Sequence, residues 1–121
     1  MTKQQAISLK LAQWLGYEAK LVSDDGTFAY IWISGTKSKE FNPFAPTTEG
    51  RAQFAECVIK ATQSGFDVHM MNIASRCYSK ETMHGYRYHT QDTSPDAVVT
   101  ATLEAIYYAI GGTDTWSGAN D

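Results

Sequence analysis

Apolar residues recur along the chain first at helical spacing and then in alternation, so the N-terminal part divides into a helix and strands. Ile7, Leu11 and Trp14 repeat on one face of a helix, and Gly16 follows them. Because this spacing is close to 3.6 residues and glycine commonly ends a helix, the pattern predicts a first helix over residues 3–15.

Two β-prone segments follow, at residues 19–23 and 27–33, and an Asp-Gly turn separates them. Both turn positions of such a hairpin must tolerate positive φ, which makes Asp-Gly a strong hairpin signal. The second segment is apolar or aromatic on both of its alternating faces, with Phe28, Tyr30 and Trp32 on one and Ala29, Ile31 and Ile33 on the other. We therefore expect helices or a partner subunit to cover both faces.

The segment Glu40–Arg51 joins this hairpin to a second helix. Its two prolines are incompatible with a continuous helix or a central strand. Two threonines then offer side-chain oxygens to the free N–H groups of the next helix, and Glu49 lies in the first turn. The helix is predicted to end at Gly65, with a stripe formed by Phe54, Val58 and Ala61 and with Ala55 and Ile59 beside it.

A second hairpin and a third helix complete the chain. Residues from Phe66 to about Cys77 are predicted as a third strand and residues 84–90 as a fourth. Ser94-Pro95-Asp96 supplies an N-cap, a proline at the first helical position and a first-turn acid. The helix from there to residue 110 has a predicted buried face of Val99, Leu103, Ile106 and Ile110.

This order predicts an α/β (α+β) fold. It is a layered sandwich of a mainly antiparallel four-stranded sheet and three helices, in the order α-β-β-α-β-β-α. Residues 1–112 form one domain, and residues 113–121 form a polar C-terminal tail.

Composition restricts the classes of function. The chain has 121 residues, 43% of them hydrophobic, which is enough for one core-bearing domain. A formal charge of −3 gives no overall attraction to long nucleic acid or an anionic membrane. No apolar run approaches the roughly 20 residues of a membrane span, so a cytoplasmic protein is predicted.

Motifs for catalysis or cofactor binding are sparse. His69, His84, His89, Cys57 and Cys77 show no recognised metal-ligand spacing, so neither a metal nor a cofactor is predicted. A thiol or histidine-dependent hydrolase that uses Cys77 or a histidine stays open as a weaker alternative. Phosphate-binding loops are excluded, because neither GxGxxG nor GxxxxGK[ST] occurs.

The second hairpin carries the one cluster of residue types suited to binding. Aromatic rings stack on planar bases, guanidinium groups bind phosphate in a bidentate fork, and a glycine such as Gly85 admits a ligand close to the backbone. A solvent-facing hairpin without a ligand is the alternative. The candidate ligand-binding residues are Arg76, Tyr86, Arg87, Tyr88 and His89, together with Trp14 and with Arg51 at the positive end of its helix.

The layout resembles the phage ABA sandwich domain, a family of small phage and prophage proteins. The resemblance rests on Trp14-Leu15-Gly16-Tyr17 at the end of the first helix, on Phe41-Asn42-Pro43 before the second, and on a closing helix rich in alanine and aliphatic residues. It covers about residues 4–110 and implies no catalytic residues. In size, class and the arginine- and tyrosine-bearing hairpin, the chain is also similar to Thoeris anti-defence proteins, which sequester a cyclic ADP-ribose signal.

These resemblances predict a non-catalytic, phage-type binding protein. It would sequester an anionic, nucleotide-like signal, such as a cyclic nucleotide or an ADP-ribose derivative, as a homo-oligomer in the host cytoplasm. The alternative is a protein–protein inhibitor of a host defence factor that uses the same hairpin.

Overall fold

The computed structural model describes residues 1–24, 28–35, 38–70, 74–79, 85–89 and 94–113, of which positions 24, 28, 74–76, 78–79 and 85–89 are described by their backbone. Three helices and six strands lie in these residues. In chain order they are α1 (Lys3–Trp14), β1 (Glu18–Asp24), β2 (Phe28–Ser34), β3 (Lys39–Glu40), α2 (Thr48–Gln63), β4 (Phe66–Met70), β5 (Ala74–Ser79), β6 (Gly85–His89) and α3 (Pro95–Ala109).

Helix α1 matches its predicted position to within a residue. A capping box begins it, because the Thr2 hydroxyl accepts a hydrogen bond from the backbone N–H of Gln5 and the Gln5 side chain accepts one from the backbone N–H of Thr2. The predicted apolar face is buried, with Ile7 and Leu11 fully inaccessible. Gly16 has a φ of 98°, a conformation that glycine adopts without a Cβ penalty, and it turns the chain into β1.

The first hairpin is confirmed, and a third strand extends it. β1, β2 and β3 form an antiparallel sheet in that order, named sheet 1 below. The predicted turn residues 25–27 lie outside the described residues. Ile31 and Ile33 are buried, whereas Tyr30 and Trp32 on the opposite face are only half-buried. The expectation that both faces of β2 are covered therefore holds for one face of the isolated chain.

The buried face of helix α2 overlaps the predicted one, because Ala61 is buried and Phe54 and Val58 are half-buried against the core, but its centre is shifted. Thr47 caps it by accepting a hydrogen bond from Gly50 N–H. The buried residues are Gly50, Gln53, Cys57 and Ala61. Ile59, placed beside the predicted apolar stripe, is 55% exposed, because the helix is rotated so that a glutamine and a cysteine enter the interior.

Gln53 connects α2 to the segment that leaves β3. Its Oε1 accepts a hydrogen bond from Asn42 N–H at 2.8 Å, and its Nε2 donates to the carbonyl oxygen of Glu40 at 3.0 Å. Gly50 lies against the same segment, where a Cβ would overlap the carbonyl oxygen of Ala45. The sheet and the helix are thus joined through buried backbone groups.

The predicted third strand is wrong, because residues 66–77 form two strands. β4 and β5 pair antiparallel, and β6 pairs with β5, giving a second three-stranded sheet named sheet 2. A single strand of that length would span roughly 40 Å, about twice the usual strand length. Residues 71–73 lie outside the described part of the chain.

Helix α3 lies at the centre of the molecule and contacts α1, α2 and all three strands of sheet 2. The predicted face is buried at Val99, Leu103 and Ile106, and Ile110 is partly buried. Burial extends around the whole helix over residues 101–107, including Glu104, which is 5% exposed. This carboxylate lies 3.3 Å from Lys3 Nζ.

The fold is therefore α+β, with three helices and antiparallel strands, as predicted. The predicted single four-stranded sheet is not confirmed, since the described strands pair as two sheets of three. The difference arises from β3 and from the division of residues 66–77. Residues 114–121 of the predicted tail lie outside the described residues.

The buried amide of Gln53 generates a stability prediction. Gln53→Leu should lower the free energy of unfolding by about 2–4 kcal/mol, because Asn42 N–H and the Glu40 carbonyl would be left without partners. Urea unfolding measures this change. The control is Gln13→Leu at an exposed position of α1, which should change stability by less than about 0.5 kcal/mol. Equal effects of the two substitutions would contradict the role given to Gln53.

Candidate functional site

The register of sheet 2 aligns three basic residues in one row. Position 69 on β4 pairs with position 76 on β5, and position 76 pairs with position 87 on β6. His69, Arg76 and Arg87 therefore occupy neighbouring positions on three adjacent strands. Directly paired residues share a face of the sheet, so this basic row belongs to one face.

Tyr86 and Tyr88, the tyrosines among the predicted binding residues, have the register of the face opposite the basic row. Cys77 pairs with position 86, and position 75 pairs with position 88. Cys77 is buried in the core, so positions 86 and 88 belong to the face directed at the helices. The tyrosine position on the same face as the arginine row is 78, directly opposite Gly85. Alternation along β6 separates Arg87 from Tyr86 and Tyr88, and alternation along β5 puts position 78 on the face of position 76. Only the pairing of β5 with β6 brings Arg76 and Arg87 together.

His69 and Asp67 are the members of the basic face whose side chains are described. His69 Nε2 lies 3.5 Å from Asp67 Oδ2, and the two side chains are 37% and 42% exposed. The face is therefore accessible to solvent at β4. Position 89 lies two residues after position 87 on β6, so His89 has the register of this face too.

Arg51 occupies the start of α2, but a carboxylate already contacts it. Its Nη2 donates a hydrogen bond to Asp96 Oδ1 in the first turn of α3, which ties the starts of the two helices together. Arg51 Nη1 is buried without a hydrogen-bond partner in the described residues. The arrangement gives Arg51 a role in joining helices, whereas the prediction was contact with a ligand.

Trp14 lies in the last turn of α1, half-buried and packed against the core. The elements that α1 packs on are β1, β2 and α3. The structure therefore places Trp14 beside sheet 1, and the arginine row belongs to sheet 2. Nothing in the described geometry brings Trp14 and that row together.

Both cysteines are buried free thiols. Burial raises the pKa of Cys57 from 9.0 to about 12, and the negative charge of Glu56 acts in the same direction. Burial likewise raises the pKa of Cys77 to about 12, with a further contribution from Asp67. A nucleophilic thiol needs a lowered pKa and access to substrate, and neither cysteine has them.

Two grooves border the segment between β3 and α2, one on each side of Glu40 and Asn42. The first, of about 230 Å³, lies between the start of α1 and strands β2 and β3. The second, of about 400 Å³, lies between this segment and the first turns of α2 and includes Thr47 and Gln53. No sequence pattern indicates either groove, because each depends on how the segment lies against a helix.

The described residues add neither a metal centre nor a membrane-spanning helix to these features. Among the described residues, no group of three or more His, Cys, Asp and Glu side chains could hold a metal ion. No helix in the described ranges is both long enough and apolar enough to cross a bilayer. Comparison of the chain with family models, with curated proteins and with solved structures finds no match.

The buried thiols generate a reactivity prediction. At about pH 8 the folded protein should react with a disulfide reagent such as DTNB only as fast as it opens, because the thiols are protonated and inaccessible. After denaturation both thiols should react within the mixing time. Rapid reaction of one thiol in the folded protein would instead identify an activated cysteine.

The same thiols, with Tyr17, make stability depend on alkaline pH. A hydrogen bond to Glu56 at 2.6 Å, aided by burial, raises the pKa of Tyr17 to about 12. Each of these three groups loses its proton at lower pH in the unfolded chain than in the folded one. Their contribution to stability is therefore complete below about pH 9 and declines as pH rises towards 12.

Urea unfolding at a series of pH values measures this dependence. The double variant Cys57→Ala/Cys77→Ala should be less stable than wild type at neutral pH, because two buried side chains are truncated. Its stability should nevertheless fall less steeply above pH 9, because two of the three titrating groups are gone. Parallel curves for the two proteins would rule out the thiols as the cause.

Proposed function

We propose that this chain is a non-catalytic, phage-type binding protein that sequesters an anionic, nucleotide-like signal molecule on the outer face of sheet 2. The observation that carries the proposal is the register that places Arg76 beside Arg87 and next to His69. Adjacent positions on paired strands have Cβ atoms about 5 Å apart, a spacing at which two guanidinium groups can bind the oxygens of one phosphate or of neighbouring phosphates.

Tyr78 and Gly85 add to this support. Tyr78 and Gly85 are directly paired with each other. This pair is next to the Arg76–Arg87 pair on the same face, since Arg76 and Tyr78 are two residues apart. An aromatic ring there would stack on a base while the arginines bind phosphate, and the neighbouring glycine leaves the backbone accessible. His89, whose position has the register of this face, stays a further candidate, whereas the positions of Tyr86 and Tyr88 have the register of the opposite face.

Electrostatics favours a small ligand over a long polymer. The formal charge of the whole chain is −3, so the basic row is a local feature within an acidic protein. Affinity for long nucleic acid grows with the number of phosphates that are neutralised, and one row offers few. A cyclic nucleotide or an ADP-ribose derivative carries few phosphate groups, which suits a single row of basic residues.

The absence of an accessible thiol supports binding over hydrolysis by a cysteine. Cys57 and Cys77, the two cysteines of the sequence, are both buried with pKa values of about 12. The proposal places the protein among the phage ABA sandwich proteins, as a homo-oligomer in the cytoplasm of the host. Inhibition of a host defence protein through the same hairpin is the second candidate, because the basic face would also suit an acidic protein surface.

A thermal-shift panel of cyclic nucleotides and ADP-ribose derivatives tests the proposal. A bound ligand at about 100 times its Kd should raise the Tm by roughly 10 °C, since it stabilises only the folded state. Arg76→Gln and Arg87→Gln should each abolish most of that shift. Lys10→Gln, which removes the same charge from α1, is the matched control and should retain it.

Mass spectrometry of the ligand after denaturation then separates sequestration from hydrolysis, because a sequestering protein releases its ligand intact. No shift with any anionic nucleotide would overturn the proposal. If the arginine variants also lost a host protein in a pull-down, the result would favour the inhibitor.

A further inference from the structure

The outer face of sheet 1 carries a row of three residues with opposite charges at its ends. The register pairs Lys20 on β1 with Trp32 on β2, and Trp32 with Glu40 on β3. Lys20 and Glu40 are exposed, and Trp32 is half-buried. Within the described part of the chain, neither charged side chain forms an ion pair.

An aromatic strip runs at right angles to this row, along β2. Tyr30 and Trp32 are two residues apart on the same face, with ring centroids 6.2 Å apart and an edge-on interplanar angle of 72°. Val22 pairs with Tyr30 and is also half-buried, so the apolar surface continues onto β1. Tryptophan and tyrosine are the residue types that contribute most binding energy at protein interfaces.

We propose that this face binds a second copy of the chain, related to the first by a two-fold axis that runs along β2. Such an axis exchanges the two sides of the sheet. Lys20 of one copy then lies over Glu40 of the other, and Glu40 of the first lies over Lys20 of the second. Trp32 of each copy meets its own counterpart at the axis, and both charge pairs are attractive.

A two-fold axis can pack this face on itself in two ways, along the strands or across them, and the charge pattern favours the axis along β2. A two-fold axis across the strands would place Lys20 over Lys20 and Glu40 over Glu40, and both contacts would be repulsive. A row with a positive charge at one end, a tryptophan in the middle and a negative charge at the other end therefore matches a second copy of itself in one orientation only. This is the reason for assigning the face to a second copy.

The distances between packed sheets allow these pairs. Face-to-face sheets lie about 10 Å apart, which extended lysine and glutamate side chains together can span. Packed sheets are usually rotated by about 30°, which would displace each charge by roughly 2.5 Å from its counterpart, because neighbouring strands are only about 4.8 Å from the axis. Flexible side chains accommodate that displacement.

The size of the face sets the expected affinity. Two strands of seven residues and one of two cover roughly 250 Å², about a third of what each partner contributes to a standard stable interface. The dimer should therefore be weak and concentration-dependent, with a Kd of about 10–100 μM. The inference rests on sheet 1 and does not depend on the ligand proposed for sheet 2.

Charge reversals in the full chain test the proposal, with sedimentation velocity at increasing protein concentration as the measurement. Lys20→Glu and Glu40→Lys should each weaken the dimer by about tenfold or more, because each turns two attractive contacts into repulsive ones. The double variant Lys20→Glu/Glu40→Lys should restore the wild-type Kd. An equimolar mixture of the two single variants should form a heterodimer.

Lys10→Glu on α1 is the control for net charge and should leave the Kd unchanged. Circular dichroism and the Tm of each variant show whether it is folded, and the restored double variant guards against loss by misfolding. A wild-type protein that stays monomeric to about 100 μM overturns the proposal, and another macromolecule would then be the occupant of the face. A dimer that Lys20→Glu and Glu40→Lys leave intact overturns it as well.

Discussion

The carboxamide of Gln53 joins the two halves of the molecule, and the rest of the arrangement depends on where it holds them. It binds Asn42 N–H and the Glu40 carbonyl from a position that is 1% exposed, so α2 is fixed to the end of sheet 1. A buried amide satisfies a backbone donor and a backbone acceptor together, which an aliphatic residue of similar volume would leave unpaired. On the same helix Cys57 and Ala61 face the core and Ile59 faces solvent.

Each sheet has one face covered by a helix. Helix α3 packs on sheet 2, α2 and α1, and α1 in turn packs on sheet 1. Each sheet directs its apolar face to these helices, through Ile31 and Ile33 in one and Cys77 in the other. The opposite faces differ in chemistry, with aromatic residues between balanced charges on sheet 1 and the positions of a basic row on sheet 2.

Much of the secondary structure was predictable because its signals are local. The cap at Ser94, the proline after it and the Thr47 cap all act within a few residues, and each begins a helix as expected. The break inside residues 66–77 was missed because a long β-prone sequence does not show where one strand ends and the next begins. The local signal there is Asn72, a residue type that favours turns. The candidate site was predictable only in part, since alternation separates Arg87 from Tyr86, whereas the pairing of Arg76 with Arg87 requires the register between strands.

The sequence by itself determined the helices, the first hairpin and the α+β class, because capping, periodicity and turn chemistry act between residues close in the chain. Tertiary structure alone decided which polar residues are buried. Gln53 and Glu104 are hydrophilic residues of helices, and only the positions of the β3–α2 segment and of Lys3 give each a partner in the interior. It also decided that Lys20, Trp32 and Glu40 share one row, because that row depends on pairings between residues 12 and 8 positions apart in the chain.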